Sequence, residues 1–105
     1  MAVKGGAYTV VWSPRALHTY ETILHYIADK FGQAEILKFI KRTVTVIEYA
    51  AYDPNMFRLS EKGKNKHIVV ITRQTTLYYR VKPRRKEIEL LLFWDTRMNP
   101  SKIKY

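Results

Sequence analysis

Leu77-Tyr78-Tyr79-Arg80-Val81-Lys82-Pro83-Arg84-Arg85-Lys86-Glu87-Ile88-Glu89-Leu90-Leu91-Leu92-Phe93-Trp94 decides the fold. Leu77 to Lys82 and Glu87 to Trp94 are rich in β-branched, aromatic and other apolar residues, which suits a pleated, half-buried surface. Pro83 to Lys86 is too short and too polar for anything but a turn. Two strands joined this closely pair antiparallel. Upstream, His67 to Arg73 reads as one more strand, with Gln74-Thr75-Thr76 turning the chain. The C-terminal half is therefore a three-stranded meander.

Working back, the period changes. Leu17, Tyr20, Leu24, Ile27 and Phe31 recur at helical spacing, and so do Leu37, Ile40, Val44, Ile47 and Ala51. Ser13-Pro14 starts the first helix, with a capping hydroxyl and a proline suited to the first turn. Gly32 stops it. The second helix runs from about Gln33 to Ala51, and Asp53-Pro54-Asn55 ends it. So short a link makes an antiparallel helical hairpin. Tyr8, Val10 and Trp12 alternate in a short opening strand. The order is β-α-α-β-β-β, an α+β fold whose antiparallel sheet is covered on one face by the hairpin. One domain, residues 1–105, is all that this length supports.

Charge follows the same division. Residues 1–53 hold six Lys/Arg against five Asp/Glu, whereas residues 54–105 hold thirteen against four, and the whole chain carries +10. A neutral helical layer supporting a basic sheet suits a polyanionic or acidic partner. Cysteine is absent, which removes disulfides, thiol nucleophiles and thiolate metal sites. No apolar run approaches the ~20 residues of a membrane span, and the N-terminus lacks the apolar centre of a signal peptide. The expectation is a soluble cytoplasmic protein without a cofactor.

Helix-facing candidates on the sheet are Ile68, Val70, Leu77, Tyr79, Val81, Ile88, Leu90, Leu92 and Trp94. The other parity carries Val69, Ile71, Tyr78, Leu91 and Phe93 beside His67, Arg73 and Arg80. An apolar patch rimmed by cations marks a partner site, with Tyr78, Leu91 and Phe93 as its expected contacts. His18 and His25, seven apart on the first helix, are too distant for a metal pair. The chemistry left open is cationic. Lys64, Lys66, His67, Arg73, Arg80, Arg84, Arg85 and Arg97 can hold phosphates, and interleaved aromatics can stack on bases. Such a set can also cleave RNA without metal, since the 2′-OH supplies the nucleophile. Charges of this kind equally deter sheet edges from pairing.

The chain resembles the RelE/ParE superfamily of bacterial toxins from type II toxin–antitoxin modules. The resemblance rests on Trp12-Ser13-Pro14-Arg15-Ala16 after the opening strand, the helical hairpin, Leu77-Tyr78-Tyr79-Arg80-Val81, and Arg97-Met98-Asn99-Pro100 after the last strand. It implies a small toxin neutralised by a tightly bound acidic antitoxin. One implied activity is on translation, as a ribosome-dependent mRNA endoribonuclease. Arg73, Arg97, Lys64, Lys66 and Tyr105 would then be catalytic, and Arg80, Arg84, Arg85 and His67 would bind substrate. The alternative is a DNA gyrase inhibitor of the same fold without catalysis. A non-toxic nucleic-acid-binding domain is the third reading.

Overall fold

The computed structural model describes residues 7–60 and 65–97. Strand β1 is Thr9–Trp12, helix α1 Pro14–Phe31 and helix α2 Gln33–Tyr52. Strands β2 (Lys66–Val70), β3 (Thr75–Lys82) and β4 (Glu87–Asp95) follow, with a 3-10 turn at Pro83–Arg85 between the last two. The spatial order is β1-β4-β3-β2. The meander is antiparallel, and β1 adds parallel to β4. The sheet is thus mixed, within the expected α+β order.

Each helix boundary has a local cause. Ser13 accepts the Ala16 N–H at 3.0 Å, satisfying one of the donors that a first turn leaves free. Gly32 sits at φ 89°, a conformation that costs a side-chain-bearing residue energy. Its N–H reaches the Ile27 carbonyl at 3.2 Å, and α2 begins at the next residue. Tyr20 stacks on Phe39 with ring centroids 5.5 Å apart. The Tyr8 N–H reaches the Ala51 carbonyl at 2.8 Å, so α2 returns to where β1 starts.

The core lies between hairpin and sheet, and two expectations about it change. The helices meet the sheet through Ala16, Thr19, Tyr20, Ile23 and Ile27 on α1, and through Phe39, Thr43, Ile47, Ala50 and Ala51 on α2. Leu17, Phe31, Leu37 and Val44, read as core, are exposed. Small Ala16, Thr19, Thr43 and Ala50 share the true contact face with the bulky residues and let the backbones approach closely. Periodicity that follows bulky residues therefore picks a face rotated toward solvent.

On the sheet, β3 keeps the expected parity: Leu77, Tyr79 and Val81 face the helices. β2 takes the opposite one, burying His67 and Val69, with Ile71 buried just after it, and turning Ile68 and Val70 outward. Strand β4 changes parity along its length. Tyr79 opposes Leu90 but Tyr78 opposes Leu92, so Leu91 is an extra residue, a β-bulge. Ile88 and Leu90 face the helices before the bulge, and Phe93 does so after it, 0% exposed. Leu92 and Trp94 pair with outward-facing Tyr78 and Thr76.

The bulge has partners on α1. β1 ends at Trp12, so among the described residues no strand neighbours the outer edge of β4 beyond Leu90. The Phe93 N–H donates to the Thr19 hydroxyl at 3.0 Å, and the Ser13 hydroxyl donates to the Leu91 carbonyl at 3.3 Å. Two side chains thus satisfy backbone groups that a fifth strand would otherwise take.

Candidate binding surface

Strand register fixes the outer face of the sheet row by row. Lys66, Arg80, Glu89 and Val11 lie abreast, and beside them Lys82 opposes Glu87. The next row is Ile68, Tyr78 and Leu92, and the last is Val70, Thr76 and Trp94. The face is charged toward the Pro83 turn and apolar toward the opposite end. Lys82 Nζ lies 3.4 Å from Glu89 Oε1, an outward-facing pair of small energetic weight. Val70 is exposed, Ile68, Tyr78 and Trp94 are half-buried, and Leu92 between them is buried. An apolar strip beside cations is the combination expected for a partner site.

The free edge of β2 is shortened. The Ser60 N–H donates to the Lys66 carbonyl at 2.7 Å, and the Ile68 N–H donates to the Arg58 carbonyl at 2.9 Å. Leu59 bridges His67. Val70 lies past this covered stretch.

At the apolar end, on the helix side, the chain after β4 is clasped. Arg97 Nε reaches Asp95 Oδ1 at 2.6 Å, and its Nη2 pairs with Asp95 Oδ2. The Arg97 N–H adds a third bond to Oδ1 at 2.9 Å, and the Thr75 hydroxyl donates to Oδ2 at 2.8 Å. The Arg97 guanidinium lies over the Tyr26 ring, 4.4 Å from its centroid. Side-chain exposure is 3% for Asp95 and 28% for Arg97. Burial alone would raise the Asp95 pKa; hydrogen bonds from Arg97 and Thr75, with the Arg97 charge, outweigh it and hold the carboxyl below its usual value. Arg97 is pushed up, chiefly by its hydrogen bond to Asp95.

The expected site residues do not converge. Arg97 faces α1, away from Lys66 and Arg80. Arg73 lies exposed in the β2–β3 turn and not within a strand. Lys66, expected to be catalytic, pairs with Arg80 across the two strands but is itself buried, 8% exposed, beneath the chain that covers this end of β2, so Arg80 alone of the two is open to solvent. Arg84 and Arg85 are exposed in the 3-10 turn, with Lys86 after it at φ 50°. The Lys86 carbonyl accepts the Thr9 N–H at 2.8 Å, so this basic tip is tied to β1. Lys64 and Tyr105 lie outside the described residues.

His67 and Phe93 require correction. His67, expected to bind substrate, is 3% exposed. Its ring stacks on Tyr79 with centroids 5.2 Å apart, and Nδ1 is 2.8 Å from the Phe57 carbonyl. A carbonyl only accepts, so Nδ1 carries the hydrogen. The residue belongs to the core because β2 runs in the parity opposite to that expected. Phe93, expected to touch a partner, stacks on Trp12 at 5.4 Å and packs against Tyr20 at 4.6 Å, beneath the sheet. Tyr78 stays on the outer face, and Leu91 is the half-buried bulge residue. The clasp partner Tyr26 was not singled out; its only sequence signal is its place beside Ile27 on α1.

Several known structures share this fold. One, from a chromosomal ParDE toxin–antitoxin system of P. aeruginosa, superposes with a TM-score of 0.72 at 17% identity, covering 89% of this chain and 100% of that one. The intact E. coli RelBE toxin–antitoxin complex contains a chain similar at TM-score 0.53 and 16% identity, with 88% and 100% covered. A RelBE2 toxin–antitoxin complex from Mycobacterium tuberculosis gives 0.55 and 16%, covering 90% and 97%. No curated protein sequence matches the chain. Residues 10–100 match the family described as the ParE toxin of the type II toxin–antitoxin system parDE. With nearly its whole length inside that family, the chain belongs to the ParE toxins of type II toxin–antitoxin systems.

Proposed function

We propose that this toxin arrests growth by docking on DNA gyrase, without cleaving nucleic acid, and that an acidic antitoxin restrains it by covering the outer face of the sheet. The observation that carries this reading is the Arg97 clasp. The residue most expected to stabilise charge on phosphorus is held by Asp95 and Tyr26 on the helix side. It therefore acts as a structural cation. Membership of the ParE family supports the same target. The outer face offers what a binding toxin needs: an apolar strip from Val70, Tyr78 and Trp94 continuous with Arg80. An antitoxin would lay a helix or strand over the strip and set carboxylates against the cations.

Arg80, with exposed Arg84 and Arg85 at the Pro83 end of the sheet, favours the second reading, a ribosome-dependent endoribonuclease, because clustered cations can grip a phosphate. Induced expression in a bacterial host separates the two. Loss of plasmid supercoiling with intact messages is the expected result. In-frame cuts in translated mRNA, mapped by primer extension with supercoiling preserved, would overturn it.

A further inference from the structure

The helical hairpin has a second apolar surface, on the flank that the sheet does not cover. Leu17, Leu37 and Val44 are 50%, 63% and 40% exposed, and Leu24, Ile36 and Ile40 are half-buried. Leu17 and Leu24 are seven residues apart on α1, as are Leu37 and Val44 on α2, so each pair shares one side of its helix. A shallow pocket lined by Glu21, Leu24, His25, Ala28 and Ile36 lies between the two helices. A helix that covers a sheet needs one apolar face, but these have a second. Scattered exposed leucines need no explanation. A row of them along the seam of two helices does.

We propose that this seam joins two copies of the chain, hairpin against hairpin, in an isologous dimer. Charge selects the occupant. The chain carries +10, and nearly all the excess lies beyond residue 53. Two copies meeting through their sheets would bring the basic halves together. The hairpin carries Glu21, Asp29 and Glu35 among Lys30, Lys38 and Lys41, a surface of both signs that a two-fold axis can pair with itself. An acidic partner gains its attraction at the sheet and little here. Two antiparallel helices laid on a symmetry mate make a four-helix layer, a standard way to bury such seams. The two basic sheets then point away from one another, giving the toxin two target-facing surfaces. This inference stands apart from the choice of target.

Sedimentation velocity on the full chain, freed of other proteins, tests it between about 1 and 100 µM. A dimer is expected, and it should persist in about 1 M salt because apolar burial is not screened. The variant Leu37→Glu/Val44→Glu replaces side chains that are already exposed. It should keep its circular dichroism and dimerise at least about tenfold more weakly. Leu17→Glu on α1 should do the same, and supplies the test if the α2 variant loses its fold. Val70→Glu on the outer sheet face should leave the dimer unchanged. A monomer across the whole range overturns the proposal, as does a dimer that salt dissociates or that the seam variants do not weaken. Loss of binding to an acidic partner in the seam variants, with the chain alone monomeric, would assign the seam to that partner and overturn it as well.

Discussion

The two ends of the sheet carry similar cations in opposite states. At the end where β4 finishes, Arg97 gives three donors to Asp95 and its guanidinium face to Tyr26. Nearby, Arg42 Nε donates to the Ile71 carbonyl. At the end where β3 turns into β4, Arg84, Arg85 and Lys86 stand exposed on a tip that is itself hydrogen-bonded to β1. The difference comes from the neighbours. A buried carboxylate with a hydroxyl beside it ties one arginine into the fold. Without one, the others keep their charge available.

Breaking the clasp should have the largest effect. Asp95→Ala leaves the Thr75 hydroxyl and the Arg97 guanidinium without their acceptor, and should cost about 3 kcal/mol in urea unfolding. The same carboxylate sets an acid limit. Its folded pKa lies below the ordinary 3.8, so its contribution is fully present above that value. The contribution fades as pH falls through the folded pKa, where the folded state too takes up the proton. Stability measured downward from about pH 5 should therefore fall less steeply in Asp95→Asn, which starts lower. Arg97→Lys keeps the charge and loses the two-pronged geometry and the stacking on Tyr26; a loss of about 1–2 kcal/mol is expected. If Arg97→Lys unfolds like wild type yet abolishes growth arrest, the arginine is functional and the contrast between the ends fails. Smallest in stability is Arg84→Ala/Arg85→Ala, within about 0.5 kcal/mol. Growth arrest should nevertheless weaken in this variant, because the tip keeps its charge for a target. Unchanged toxicity would mean that the exposed end serves solubility alone.

Element order and the helix boundaries at Ser13 and Gly32 were legible in the sequence, because each depends on residues close together in the chain. Face assignment was not. Strand parity in β4 reverses at Leu91, and nothing in the run Leu90-Leu91-Leu92 distinguishes a regular strand from a bulged one. The signal lies 72 residues earlier, in the Thr19 hydroxyl that takes the Phe93 N–H. Threonine in the middle of a helix reads as a polar position, yet it is buried. Two of the expected site residues were misplaced for the same reason. One parity error placed His67 on the surface, and the bulge placed Phe93 there.

That bulge also couples the two sides of the sheet. Leu92 and Trp94 face outward only because Leu91 is extra, and the extra residue is anchored through its neighbour by a hydroxyl on α1. A ligand gripping the outer strip therefore pulls on a backbone tethered to the helix behind it. Removing the tether, as Thr19→Val would, frees the Phe93 N–H and gives the strand reason to slip by one residue. The outer strip would then exchange its side chains for those of the core. A buried hydroxyl on one side thus acts as the index pin for which residues the other side displays.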